Sequence, residues 1–191
     1  MITATARRAA AAAATTALLG ALVVGCGSEK SGGAAAPEGW ETLDAQQVSV
    51  AYPKGFKELG KEKLPKFATA EADLVEGGKT VARIVAQVEF MKTSDLDMAV
   101  SGADAQYTFG ATPQDKEDIK VPGTDRAVRI NHGFKSSGEG DSPPRDTEMT
   151  AVDVVGMDKS DKPWVVRVTA PKGKLSQDDL DEILKSIKVT G

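Results

Sequence analysis

The sequence predicts an α+β fold, a single domain in which a mainly antiparallel sheet is covered by helices. Three observations predict it. Several segments alternate apolar and polar residues with period two, the pattern of half-buried strands, and short turns join them in succession. Two other segments repeat apolar residues at three- and four-residue spacings, the stripe of a helix packed on one side. The 191-residue chain has 40% hydrophobic and 27% charged residues, a balance that suits a globular body rather than a disordered one.

The chain opens with a segment of another kind. Arg7 and Arg8 precede an uncharged run over 9–25, alanine-rich at first and then richer in Leu18, Leu19, Leu22, Val23 and Val24. A transmembrane helix usually needs about 20 strongly apolar residues, and alanine favours insertion only weakly. A short apolar run ending in small residues before a polar stretch has the form of an export signal. The run closes on Val23-Val24-Gly25-Cys26. This ending resembles the lipobox of bacterial lipoproteins, although that family usually has Leu where Val23 stands. The resemblance implies that Cys26 receives a diacylglycerol and, after cleavage, becomes the mature N-terminus. Residues 1–25 are then a lipoprotein signal peptide. Arg7-Arg8 also admits the twin-arginine export route, but alanines replace the aromatic and Leu that usually follow, so Sec export is the better fit. High alanine content and the lipoprotein resemblance point to an actinobacterium.

Residues 26–39 are expected to be the lipidated cysteine and a flexible linker, rich in glycine and without a bulky apolar side chain. Trp40 opens the folded α+β domain, 40–191. Val48, Val50 and Tyr52 share a strand face, and Pro53 stops that strand. Over 81–90, Ala82, Ile84, Ala86, Val88 and Phe90 oppose Arg83, Gln87 and Glu89. A weaker strand is expected near 67–74. A helix beginning near Ser94 aligns Leu96, Val100, Ala103 and Tyr107, with Gly102 in its interior. Val128, Ile130, His132 and Phe134 share the face of the next strand. Thr150, Val152 and Val154 oppose Met149, Ala151 and Asp153 in the following one. Trp164, Val166 and Val168 oppose Arg167 and Thr169 in the last long strand. Ser176 caps a final helix, with Asp178 and Asp179 in its first turn and Leu180, Ile183, Leu184 and Ile187 as its stripe.

Trp40, VSVAYPKGF at 48–56, the strand 165–170 and the closing Ile183–Val189 together resemble PsbP-like α/β/α sandwich proteins, including the LpqN-like group of exported lipoproteins. That resemblance implies a PsbP-like sandwich and a scaffold, assembly or ligand-associated role in the envelope. It carries no catalytic residue.

The composition excludes several functions. A single Cys cannot build a disulfide framework or a multi-thiolate metal site, and a single His cannot build a paired-histidine centre. A net charge of −4 and 5% aromatics do not suit a nucleic-acid binder. His132 is the natural general-base candidate, but its parity places it on the apolar face as a hydrogen-bonded packing residue. Asp95, Asp97, Asp178, Asp179, Asp181 and Glu182 lack the alternating donors of a calcium loop and read as helix-end and solvated carboxylates. Lys54, Lys57 and Lys61 form a surface turn able to meet an acidic partner. The stretch 136–146 is a flexible connector that reads first as an ordinary hairpin tip and, without aromatic anchors, second as a place for a partner contact.

No nucleophile elbow, Ser-x-x-Lys pair or Cys/His arrangement occurs. The expectation is therefore no catalytic, cofactor or metal site, and lipidation at Cys26. The protein would sit on the outer face of the cytoplasmic membrane, held through its lipid anchor. There it would be a non-enzymatic binding or assembly module for an envelope protein, or alternatively a carrier of an apolar or glycolipid ligand.

Overall fold

The computed structural model describes residues 36–107 and 111–190. The signal segment, Cys26 and the linker up to residue 35 lie outside the described residues. β1 (Glu41–Ala45) and β2 (Val48–Tyr52) form an antiparallel hairpin. Its two-residue turn places Gln46 at φ 56, in the left-handed region. β10 (Lys188–Val189) joins the other edge of β2, so the chain's first and last strands complete one small sheet.

The large sheet holds seven strands. In chain order these are β3 (Phe56–Glu58), β4 (Ala70–Glu76), β5 (Lys79–Val88), β6 (Thr112–Ile119), β7 (Ala127–Lys135), β8 (Glu148–Met157) and β9 (Pro163–Pro171). In space they run β3-β4-β5-β9-β8-β7-β6, with every pairing antiparallel. After β5 the chain crosses through α1 (Leu96–Asp104) to the far edge. It then winds back strand by strand until β9 closes on β5.

Each face of the large sheet has its own cover. Leu96, Ala99, Val100 and Ala103 of α1 pack on Val128, Ile130, Val155 and Val165. On the other face, the small sheet and α2 (Gln177–Ser186) bury Ile84, Val154, Trp164, Val166 and Val168 beneath Val48, Val50, Tyr52 and Ile183. Covers on both sides explain why the central strands are buried at nearly every position instead of every second one. β2 is likewise buried throughout, and its Ala51 amide donates to Ser186 Oγ of α2 at 2.8 Å.

The helix ends follow their local chemistry. Asp95 caps α1 by accepting from the Met98 amide at 2.9 Å. Ser176 caps α2 by accepting from the Asp179 amide at 3.0 Å, and its own hydroxyl donates to the Asp179 carboxylate. α1 begins at Leu96, close to the start expected near Ser94, and Tyr107 lies past its end. The weak strand expected near 67–74 runs instead over Ala70–Glu76, leaving Phe67 exposed in the preceding loop.

The connector 136–146 is anchored rather than free. The Thr80 amide donates to the Asp141 carbonyl at 2.8 Å, and Ser136 Oγ donates to the Pro143 carbonyl at 2.7 Å. Among the described residues, no helix is long and apolar enough to cross a membrane.

Candidate functional site

The strand registers gather the buried polar residues on the α1 side of the large sheet. Asp153 of β8 lies opposite Arg167 of β9 and opposite Ile130 of β7, and His132 stands two residues farther along β7. Asp153 is 0% exposed. Its carboxylate accepts from Arg167 Nε at 2.8 Å, Arg167 Nη2 at 2.6 Å and the Tyr107 hydroxyl at 2.8 Å. Arg167 also donates to the Ala103 carbonyl near the C-terminal end of α1, at 3.2 Å, and lies 4.2 Å over the Tyr107 ring. Burial, then the Asp153 charge, pushes the Tyr107 hydroxyl well above its usual range.

His132 packs against the other side of this network. Its ring centroid is 4.1 Å from that of Tyr107, and the residue is 2% exposed. Its Nε2 lies 3.6 Å from Asp104 Oδ1 and 3.8 Å from Asp153 Oδ2, beyond hydrogen-bond reach. Among the described residues neither ring nitrogen has a hydrogen-bond partner. Burial holds its pKa below the ordinary value against the pull of the two carboxylates, while Arg167 and Lys116 also oppose protonation. Parity therefore placed His132 correctly in the interior. The expected hydrogen bond is not formed, and the surroundings at this end of the face are ionic rather than apolar.

A second polar group occupies the same face at its β4–β5 end. Arg83 Nε lies 2.8 Å from both Glu71 Oε1 and Asp73 Oδ1, but its N–H points at Asp73. Glu71, 1% exposed, is left without a hydrogen-bond donor. Burial raises its pKa, partly offset by the Arg83 charge and reinforced by Asp73. Among the described residues no cluster of three or more His, Cys, Asp or Glu is placed to hold a metal ion.

The opposite face carries the most ligand-like concavity. α2 does not extend over the β6–β7 end of the sheet, and a groove of about 530 Å³ remains there. Its floor is Thr150, Val152, Val168 and Ala170, and Leu175 and Leu180 form the wall on the α2 side. The facing wall is polar, built from Gln114, Asp115, Arg129 and Asn131. Arg129 is pre-positioned by its 3.2 Å bond to Asn131 Oδ1 and its 3.4 Å pairing with Glu117. An apolar floor with hydrogen-bonding groups along one side can seat an amphipathic molecule, and the volume is that of a small-ligand site. A hollow of about 540 Å³ between the start of α1 and the β8–β9 turn is acidic. Two of its carboxylates are already engaged: Asp95 caps α1, and Asp158 accepts from the Ser160 and Lys162 amides.

The remaining residues singled out from sequence do not converge. Asp97 lies in the first turn of α1, Asp178 and Asp179 lie in the first turn of α2, and Asp181 and Glu182 follow on α2. Lys54, Lys57 and Lys61 are exposed around β3. Cys26 lies outside the described residues. Sequence reading missed Arg129 and Asn131. They occupy the polar parity of β7, which looked like solvent face until the position of α2 defined a groove beside it.

No protein-family model matches the chain, and no curated protein matches it in sequence. Solved structures do resemble it. The cyanobacterial PsbP protein (CyanoP) from Synechocystis has a TM-score of 0.50 at 12% identity, covering 85% of this chain and 99% of its own. The yeast Ran-binding protein Mog1p from Saccharomyces cerevisiae has a TM-score of 0.49 at 11% identity, covering 79% and 95%. A Bacteroides thetaiotaomicron protein has a TM-score of 0.49 at 11% identity over 78% of this chain, and the chain spans only 48% of that protein's length. At such identities the likeness to the cyanobacterial protein is one of architecture: this is a PsbP-like fold, an antiparallel sheet covered by α1 on one face and by the small sheet and α2 on the other.

Proposed function

We propose that the chain is a non-enzymatic lipoprotein, anchored by lipid at Cys26 to the outer face of the cytoplasmic membrane of an actinobacterium. Its role is to bind another component of the envelope. The single observation that carries the binding role is the groove beside α2, which combines an apolar floor with a polar wall. The anchor is supported by the charged start, the short apolar run and the small residues that place the chain's only cysteine at the processing position. Two acyl chains suffice for stable attachment. The same groove favours a second reading within this frame, a carrier whose apolar or glycolipid ligand lies between sheet and helix.

Photocrosslinking in the intact host membrane tests the proposal. A photoactivatable phenylalanine analogue replaces Thr150, an exposed groove residue, in the full chain, with the same analogue at Lys159 as control. A discrete adduct at 150 and none at 159 supports the binding role. A protein-sized adduct identifies an assembly module, and a lipid-sized one identifies a carrier. Equal labelling at both positions, or none at 150, contradicts the groove as a binding seat.

A further inference from the structure

We propose that the lysine-rich edge formed by residues 54–67 rests on an anionic phospholipid surface and orients the domain on the membrane that carries its anchor. The inference builds on the lipid-anchored reading and adds a second contact.

The folded domain begins at this edge. A Cβ on Gly39 would lie 3.1 Å from Lys54 Cε, so the last linker residue runs beside that lysine. The Tyr52 hydroxyl lies 3.1 Å from Glu41 Oε2 and 3.0 Å from Glu58 Oε1, fastening the first residue of β1 to the last of β3. A linker spanning 27–39 has a reach of about 20 Å. A lipid on Cys26 would therefore hold the Lys54 end of this edge close to the headgroups.

The edge has the chemistry for that position. Lys54, Lys57, Lys61, Lys63 and Lys66 are all exposed. The lysine ion pairs found among the described residues involve other lysines, at 116, 162, 172, 174 and 185. Of the two glutamates on the stretch, Glu58 is engaged by Tyr52. Phe67 is 58% exposed, and Lys66 Nζ sits 5.3 Å from its ring centroid. An ammonium beside an exposed ring suits the headgroup–acyl boundary, where amphipathic side chains settle.

Elsewhere the molecule is acidic. Without residues 1–25 there are 22 basic against 28 acidic residues. The net charge alone predicts no attraction to anionic lipid. Its distribution predicts attraction at one edge and repulsion from the rest, which is what fixes an orientation. The same lysines suit an acidic protein, but their place at the root of the linker favours the bilayer.

The test uses the full lipoprotein in vesicles, with an environment-sensitive fluorophore on Phe67→Cys and, separately, on Met98→Cys of the exposed α1 surface. On vesicles of equal parts phosphatidylglycerol and phosphatidylcholine, emission from position 67 at least doubles relative to phosphatidylcholine alone, while position 98 stays unchanged. The gain disappears in 1 M salt, where screening shortens to about 3 Å, and in the K57E/K61E/K66E variant. No gain at 67, an equal gain at 98, or a gain that survives the triple substitution overturns the proposal. Flotation keeps the two readings apart. A chain that fails to float with phosphatidylcholine vesicles contradicts the anchor, whereas one that floats with a silent probe at 67 contradicts only the oriented edge.

Discussion

Asp153 offers the sharpest test at the scale of single residues, because its carboxylate has no solvent contact and three donor contacts. Asp153→Ala leaves the Arg167 guanidinium, whose side chain is 16% exposed, without its counter-charge. Breaking a buried pair in this way costs about 3–5 kcal/mol. Urea denaturation should show that loss, with Asp153→Asn retaining part of the stability through neutral hydrogen bonds. A loss below about 1 kcal/mol, the scale of an exposed ion pair, would contradict the network.

Glu71 and His132 push stability with pH in opposite directions. Glu71 has a folded pKa above its ordinary value, so its contribution is full in acid and is lost as pH rises through the folded pKa. Glu71→Gln is therefore expected to have a higher urea midpoint than the parent at pH 8, with the difference closing toward pH 4. A parent more stable at pH 8 would show that Glu71 is compensated. His132 has a folded pKa below about 6.5, so its contribution is present above that pH and is lost as pH falls. Parity alone made the burial of His132 legible. The pairing of Asp153 with Arg167 was not legible, because period-two alternation gives the face of each strand but not which strand lies beside it.

Elements are held by their ends and crossings. Replacing the α2 cap, Ser176→Ala, removes the hydrogen bond to the Asp179 amide and should cost about 1 kcal/mol. Restoration by Ser176→Thr would show that the hydroxyl is responsible. Gly123 has φ 90, and a side chain there would overlap the Val189 carbonyl of β10. Gly123→Ala should therefore unseat the final strand, whose Val189 amide donates to the Pro122 carbonyl at 2.8 Å. Amide exchange at Val189 should accelerate while the centre of β8 stays protected. Both helices were legible because each buries a periodic stripe, and the long central strands because their residue types alternate, although β8 and β9 are buried on both faces. β6 was not, since Thr112–Ile119 lies at the sheet's edge and is exposed along nearly its whole length. An edge strand needs only backbone pairing on one side, and its charged side chains discourage a further strand from joining. β3 and β10 are too short for any period to show.

At the scale of the whole molecule, the linker root and the Lys54 end of the lysine edge lie side by side, and the groove lies elsewhere, beside α2. The anchor would set where the domain sits and the edge how it faces, leaving the groove free to receive a partner. Cys26→Ala should abolish lipid attachment, leaving the protein unprocessed or released. An unchanged lipidated mass in that variant would refute the assignment. The sequence offered no groove residue, only the alternative of a carrier for an apolar or glycolipid ligand. Its polar wall comes from β6 and β7, which nothing in the local pattern placed beside α2.

The most direct measurement is native mass spectrometry of the full lipoprotein, purified from its host in mild detergent. A binding module with this groove predicts a reproducible adduct that is lost on denaturation and absent from R129A/N131A, in which the polar wall of the groove is stripped. A clean mass of protein plus acyl anchor, identical in parent and variant, would contradict the groove as a ligand seat.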